Sequence, residues 1–550
     1  MDGFLVRCLD CGTEERFNPR TLPCPACGSE WREARYDLST VRRIWQDGLH
    51  SRPFDLWRYH ELLPLTNAQP IRPIGGTPLI PAPNLGGMLG LRKLFIKDER
   101  LNPTGSFKDR QAAVTVETLT EHGIKEAVVC STGNVAIAFA AACARAGIRL
   151  WAFLTSLVPA EKMHEVAIYG TEIIKVTGTY DQAKQLAAQF ALSRGLYLDR
   201  GARSLPAVES MKTIAFEIAE QLEWNAPDWY LQPVSGGLGP FGVQKGFSEL
   251  QELGLIEASP ALGVIQTEGC SPMASAWELG LSKAEPVLSP TTYITTLTTG
   301  DPGRTYTLLR ERMMAGGGGT MTAVPDEAAY RALHLLAKTE GFSVEAAAAA
   351  GVAGLIQLAE KGMFKPDDVV VLNCTGHTTP VEDRLLAPDW ATDIQLNAQA
   401  GAPRDGLLAA LASIDRRRLS RVLIVDDQPD ARRLIRRVLD ARGRYKIDEA
   451  GTGQQALEIV DQKPPDLIVL DLMMPEMDGF SLLEKFKSRR HTRDVPVIVV
   501  TAKELSSEEW HKLDGKIEHL ITKGNFLSDE LIADIEQMLN PQDGHEGGRI

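Results

Sequence analysis

Four short segments of this chain carry side chains suited to one kind of chemistry. In Leu101-Asn-Pro-Thr-Gly-Ser-Phe-Lys-Asp-Arg110 a lysine follows a strand and a turn and opens a helix. Desolvation and the positive helix N-terminus both depress the pKa of a lysine placed there, so Lys108 is a usable amine nucleophile for a Schiff base. Ser131-Thr-Gly-Asn134 closes a strand and opens an Ala-rich helix, offering an amide side chain and several backbone donors. Ser235-Gly-Gly-Leu-Gly239 follows the apolar run WYLQPV. A glycine-rich turn at a helix N-terminus cradles a phosphate monoester through backbone N–H groups. Asn373-Cys-Thr-Gly-His377 follows VVVL and puts Thr375 at a strand end, where its hydroxyl can meet a ring nitrogen. Each segment alone is commonplace. Their occurrence together, in this order, is not.

Two further sets suit metals. Cys8, Cys11, Cys24 and Cys27 form two Cys-x-x-Cys pairs, each followed by a glycine, Gly12 or Gly28, that lets the backbone turn tightly. The spacing matches a zinc ribbon; two disulfides or four free thiols are the alternatives. A zinc held by four thiolates is structural, because no position is left open for water. Near the other end, Asp426 and Asp427 close VLIV, Asp471 closes LIVL, Thr501 closes VIVV and Lys523 closes HLIT. Every polar group sits at the carboxyl end of an apolar strand, the ligand-binding edge of an open α/β sheet. Three converging carboxylates repel one another without a cation and predict a hard divalent metal, Mg²⁺. A threonine and a lysine on the next two strands suit an incoming phosphoryl group.

The elements that must position these groups follow from length and rhythm. At about 150 residues per domain, 550 residues make three or four modules. With 44% apolar and 24% charged residues the chain reads as globular. A net charge of −13 argues against a nucleic-acid partner. The most apolar stretch, from Val135, meets Arg145 before it reaches membrane-spanning length, and MDGFLVRCLDCG has no secretory pattern, so a cytoplasmic protein without a membrane partner is expected. We divide the chain into a ribbon over 1–40, an α/β catalytic region over 60–388, a linker over 389–419 with a short helix around Leu407 to Ile414, a second α/β series over 420–540, and a disordered tail over 541–550. Pro325-Asp326 marks a helix start in the catalytic region.

Residues 1 to 385 resemble the fold-type II pyridoxal-phosphate enzymes, and threonine synthases among them. The resemblance rests on Gly75-Gly-Thr-Pro-Leu79, NPTGSFKDR, STGN, the glycine loop, Glu340-Gly-Phe-Ser-Val-Glu345, the CTGH strand end and the N-terminal ribbon. It implies two three-layer α/β subdomains and pyridoxal 5'-phosphate as cofactor. Lys108 would be the Schiff-base lysine and proton shuttle, and Asn134 would face the ring hydroxyl. Gly236, Gly237, Leu238 and Gly239 would hold the cofactor phosphate, Thr375 would face the pyridine nitrogen, and Ser131 and Thr132 would bind the carboxylate of an amino-acid substrate. The implied reaction converts O-phospho-L-homoserine and water to threonine and phosphate, with a homodimer as a possible assembly.

The chain departs from this pattern on the substrate side. Threonine synthases carry N-P-x-R-x-E-G-x-K-T before the glycine loop, and its arginine binds substrate phosphate. Here Ala207 takes the arginine's place, with Arg203 nearby, and Asp301 and Arg304 alter a second segment. Other β-replacements or eliminations, such as serine/threonine dehydration or cysteate-type synthesis, stay open, as does a degenerate ligand-sensing signalling protein. Residues 420–540 resemble a response-regulator receiver, a flavodoxin-like fold. That implies Asp471 as the residue phosphorylated by a sensor histidine kinase. It also implies Mg²⁺ on Asp426, Asp427, Asp471 and the Met473 carbonyl, with Thr501 and Lys523 as switch residues. Leu520 stands where receivers commonly carry an aromatic residue.

Overall fold

The computed structural model describes residues 4–20, 23–66, 73–156, 158–377, 391–395, 420–440, 445–475, 477–501 and 505–522. The chain divides into two compact units, residues 1–411 and 412–550. Lys523, the 541–550 tail and the helix expected near 407–414 lie outside the described residues.

The first unit opens with a three-stranded antiparallel sheet in which Leu5–Cys8 runs between Glu14–Arg16 and Arg32–Arg35. Two larger sheets follow. The first orders its strands Gly319–Val324, Ala261–Thr267, Trp229–Pro233, Val369–Cys374, Lys93–Asp98 and Leu79–Pro81; all run parallel except the last. The second orders Ala391–Gln395, Glu172–Thr177, Arg149–Thr155, Glu126–Ser131 and Tyr197–Leu198, all parallel. These strands read as continuous apolar runs because helices cover both faces of a parallel sheet. Val128, Val129, Ala152 and Phe153 are fully buried, as are Leu231, Val264, Val371 and Leu372.

Within the span read as a linker, the strand Ala391–Gln395 adds to the edge of Glu172–Thr177 through five paired residues. Such an edge presents unpaired N–H and C=O groups that a passing chain can satisfy whatever its side chains are.

Packing of the site-bearing helices depends on glycine at two points. A Cβ at Gly242 would lie 2.6 Å from the Val208 carbonyl, and one at Gly246 would lie 2.7 Å from the Lys212 carbonyl. Helix Leu238–Glu252 therefore lies directly against helix Leu205–Gln221.

The second unit is one parallel sheet, ordered Tyr445–Ala450, Ser420–Val425, Leu467–Leu470, Val497–Thr501 and His519–Thr522. Its core is Leu423, Val425, Ile468, Leu470, Phe486 and Val499, with Leu520 packed beside it. Among the described residues no helix is long and apolar enough to cross a membrane.

Candidate active site and receiver site

The carboxyl ends of four strands in the first unit, Glu126–Ser131, Tyr197–Leu198, Trp229–Pro233 and Val369–Cys374, open onto one cavity of 450 Å³. Lys108, Ser131, Thr132, Asn134, Gly236, Gly237, Leu238, Gly239 and Thr375 all line it. The structure thus brings every residue singled out for the cofactor and substrate to one place.

Lys108 is the first residue of helix Lys108–Glu121. The turn before it is tied down from two sides. The Phe107 amide donates to the Thr375 carbonyl at 3.1 Å, and the His377 amide donates to the Gly105 carbonyl at 2.9 Å. Within the turn, the Thr104 amide and hydroxyl donate to Asp109 Oδ2 at 2.8 and 3.0 Å. Behind it, fully buried Arg110 forks onto Glu99 and Glu217, and Lys97 Nζ reaches Glu217 Oε2 at 2.7 Å. This network joins the lysine helix to Leu205–Gln221. Burial draws the Lys108 amine down to about 8, partly opposed by the Asp199 carboxylate.

The glycine loop fits the phosphate group that the resemblance implies. Gly237 sits at φ +85° and helix Leu238–Glu252 has no side-chain cap, so its first amides are left for an anion. A Cβ at Gly239 would lie 2.1 Å from Gln232 Nε2, and one at Gly237 would lie 3.1 Å from Met273 Cε. Only glycine keeps this cradle open. Ser235 Oγ and Thr299 Oγ1 stand 2.5 Å apart, and the Thr299 amide donates to Ser235 Oγ at 3.0 Å, which braces the loop.

Asn134 is already engaged. Its Nδ2 donates to Glu345 Oε1 at 2.7 Å and its Oδ1 accepts from Lys162 Nζ at 2.7 Å. Lys162 also pairs with Glu345 Oε2 at 2.7 Å. One N–H of the Asn134 amide is left for a ring oxygen. Ser131 Oγ accepts from the Gly133 and Ala136 amides at 3.0 and 3.1 Å, capping the helix that follows, so toward a substrate it has its O–H to donate.

Sequence reasoning missed Gln111, Asp199 and Lys162. Lys108 Nζ donates to Gln111 Oε1 at 3.4 Å, and Gln111 Nε2 donates to Asp199 Oδ1 at 2.8 Å. Asp199 Oδ2 is buried with no partner among the described residues, and burial raises its carboxyl to about 6. No motif marks any of the three. Gln111 lies one helical turn beyond Lys108, which is the one signal that was available.

On the substrate side, Ala207 is fully buried in the core and does not line the cavity. Arg203 does line it, but it pairs with Glu30 of the ribbon at 3.0 Å. Arg304 pairs with Asp10 of the ribbon, whereas Asp301 Oδ1 accepts from the Gly303 amide at 2.8 Å.

The four ribbon cysteines are free thiols whose sulfurs lie within 4.8 Å of one another. Cys8 Sγ is 3.5 Å from Cys27 Sγ, and Cys11 Sγ is 3.7 Å from Cys24 Sγ. A tetrahedron of ~2.3 Å zinc–sulfur bonds has edges of about 3.8 Å, so the set fits zinc. The Gly12 and Gly28 amides close their turns on the Cys8 and Cys24 carbonyls at 3.1 and 2.8 Å.

In the second unit Asp426, Asp427 and Asp471 bring ligand oxygens within 4.8 Å of one another. Asp426 and Asp471 are buried, and Asp427 Oδ1 is buried without a hydrogen-bond partner among the described residues. This all-oxygen set fits a hard divalent cation. The Met473 amide donates to Asp471 Oδ1 at 3.1 Å, and buried Thr501 ends the neighbouring strand.

Residues 71–376 match the family described as pyridoxal-phosphate dependent enzyme, and residues 422–536 match the response regulator receiver domain. The chain is 34% identical over 377 residues to the threonine synthase of Methanocaldococcus jannaschii, covering 68% of this chain and 92% of that protein. It is 33% identical over 376 residues to the threonine synthase of Methanosarcina acetivorans, covering 68% and 91%. Among solved structures, maize serine racemase superposes with a TM-score of 0.49 at 22% identity, over 56% of this chain and 89% of that one.

Proposed function

We propose, on the premise that this chain belongs to the pyridoxal-phosphate dependent enzymes and carries a response regulator receiver domain behind its catalytic region, that it is a lyase of the threonine synthase type. It converts O-phospho-L-homoserine and water to L-threonine and phosphate, and phosphorylation of the receiver by a histidine kinase modulates it.

Pyridoxal phosphate, when bound, supplies an electron sink for the charge left at the substrate α-carbon. The chain's own residues do the rest. Amides of Gly236 to Gly239 take the cofactor phosphate, and the remaining Asn134 N–H meets the ring hydroxyl. Thr375 offers the ring nitrogen a neutral hydroxyl, which does not force its protonation. Ser131 and Thr132 hold the substrate α-carboxylate. Lys108 Nζ carries the α-proton; with a pKa of about 8 its amine is accessible in the neutral form near physiological pH. Asp471 accepts the phosphoryl group; Asp426, Asp427 and the Met473 carbonyl would hold Mg²⁺ beside it, with Thr501 and Lys523 meeting the phosphoryl oxygens. Zinc on the four cysteines is structural.

The observation that carries this reading is the meeting of Lys108, the uncapped glycine loop and Thr375 on one cavity. The test is an absorbance scan of the purified protein with O-phospho-L-homoserine, assaying phosphate and threonine. A shifted visible band with both products released supports the reaction; a band indifferent to the substrate refutes it.

Ala207 favours a second reading, in which the same cofactor chemistry acts on another amino acid by replacement or elimination. Release of an α-keto acid from serine or threonine in the same assay distinguishes the two.

A further inference from the structure

The cavity mouth carries three arginines, Arg200, Arg203 and Arg304, and each is paired with a carboxylate of the N-terminal ribbon. Glu30 bridges Arg200 and Arg203, and Asp10 holds Arg304. Trp31, next to Glu30, lines the same cavity, with the Arg304 guanidinium 6.0 Å from its ring centre. The ribbon therefore forms part of the cavity wall, through Trp31.

We propose that Arg200, Arg203 and Arg304 are the subsite for a tetrahedral oxyanion on the substrate side chain, and that Asp10 and Glu30 are its resting counter-ions, displaced when substrate binds. The substrate class deepens the reaction proposed above and rests on that reading.

Three observations converge. First, charged lining groups of the cavity comprise five cations, including Lys108 and Lys184, against the three carboxylates of Asp199, Asp301 and Glu345. Second, two of the three ribbon pairs are of the exchangeable kind, and the third, Arg200 with Glu30, shares its carboxylate with one of them. Side chains of Arg203 and Glu30 are 44% and 31% exposed, and those of Arg304 and Asp10 are 35% and 38% exposed. Ion pairs this open to water are weak, whereas a phosphate accepting forked guanidinium bonds makes several strong ones. Arg200 Nε is also buried without a partner among the described residues, leaving a donor unused there in the resting arrangement.

Third, exchange needs side-chain rotation and no movement of the ribbon as a body. The strand Arg32–Arg35 is anchored through Lys245 Nζ on the Ala34 carbonyl at 2.9 Å and Arg312 on Glu33 at 3.2 Å. The arrangement also accounts for position 207. An arginine there would start from the packed helix Leu205–Gln221, while here the positive charge comes from the segment just before it and from helix Arg304–Ala315.

The test is calorimetric titration of the full-length, pyridoxal-phosphate-loaded protein with inorganic phosphate, whose cofactor cradle is then filled. Glu30→Gln combined with Asp10→Asn is expected to tighten phosphate binding by about fivefold, the size exposed pairs carry. Arg203→Ala with Arg304→Ala is expected to abolish detectable binding while the cofactor band stays unchanged. Glu30→Gln alone, three residues beyond Cys27, keeps the test valid if Asp10→Asn disturbs the cysteine turns of the ribbon. Equal affinity in the wild type and the carboxylate variants overturns the counter-ion role. Wild-type affinity in the arginine variant overturns the subsite. A protein that binds phosphate through these arginines but makes no threonine refutes only the reaction.

Discussion

Asp199 reaches Lys108 through a single side chain. Gln111 accepts from the Lys108 amine at 3.4 Å and donates to Asp199 Oδ1 at 2.8 Å, so a buried carboxylate faces Lys108 across one amide. Asp199 follows the two-residue strand Tyr197–Leu198, and its second oxygen has no partner among the described residues.

The sign of that coupling is testable. Burial disfavours the ammonium of Lys108 and draws it to about 8, while the Asp199 charge favours the ammonium and opposes the shift. Asp199→Asn removes the opposing charge, so the lysine midpoint moves further down, by roughly half to one unit. The rate at which the apoprotein takes up pyridoxal phosphate, read at its visible band across pH, reports this midpoint. A profile identical to wild type would show that Asp199 does not act on Lys108.

Glu217 sits between Arg110 and Lys97 with no exposed surface on any of the three. Burial alone would raise its carboxyl, but the two cations hold it down to about 2. Glu217→Gln leaves two buried cations to share Glu99 and is expected to cost about 3–5 kcal/mol. Thermal unfolding followed by the bound-cofactor band measures the loss. Because the folded pKa is depressed, the wild-type contribution is full above about 4.5 and fades as pH falls toward 2. The variant lacks this part of the acid decline, and an unchanged acid limb would refute the assignment.

Gly239→Ala tests the phosphate cradle. The added Cβ meets Gln232, whose Oε1 accepts from the Tyr230 hydroxyl at 2.6 Å; that hydroxyl accepts from Asn373 Nδ2 at 2.7 Å. Relief therefore moves the loop instead of Gln232, and amides aimed at the phosphate are displaced. Loss of one charge-assisted bond weakens cofactor affinity by roughly tenfold or more. Equilibrium titration with pyridoxal phosphate checks it, and unaltered affinity would mean the loop does not hold the phosphate.

What the sequence made legible follows a physical division. Lys108, Thr375 and the glycine loop were readable because a strand end, a turn and a helix start leave local signals, and these also carry the family resemblance. Four of the five receiver strands were readable because each is a mostly apolar run ending in a polar group, whereas Tyr445–Ala450 is mixed in polarity and left no such signal. Asp199 and Lys162 carry no such mark: one follows a strand too short to read, and the other lies in an ordinary amphipathic helix, Ala160–Ile168. Their place beside Lys108 and Asn134 comes from the packing of distant segments. Arg203 and Arg304 were visible as charges, but their ribbon partners Glu30 and Asp10 were not, because ion pairs between distant segments leave no spacing to find. The strand Ala391–Gln395 lacks an apolar run altogether, and backbone pairing at a sheet edge creates it.

The receiver site makes its own prediction. Asp471 is buried and its Oδ1 already accepts from the Met473 amide, which fixes the carboxylate; Asp427 Oδ1 is buried with no partner among the described residues. Labelling by acetyl phosphate is expected to require a divalent cation and to vanish in Asp471→Asn. Asp427→Asn removes one carboxylate from the cation's ligand set but not the acceptor, so labelling should persist and need roughly tenfold or more Mg²⁺ for half-saturation. Phosphate content against Mg²⁺ concentration separates the two roles. Persistent labelling of Asp471→Asn would place the phosphorylated residue elsewhere, and an unchanged Mg²⁺ midpoint in Asp427→Asn would remove that side chain from the metal site.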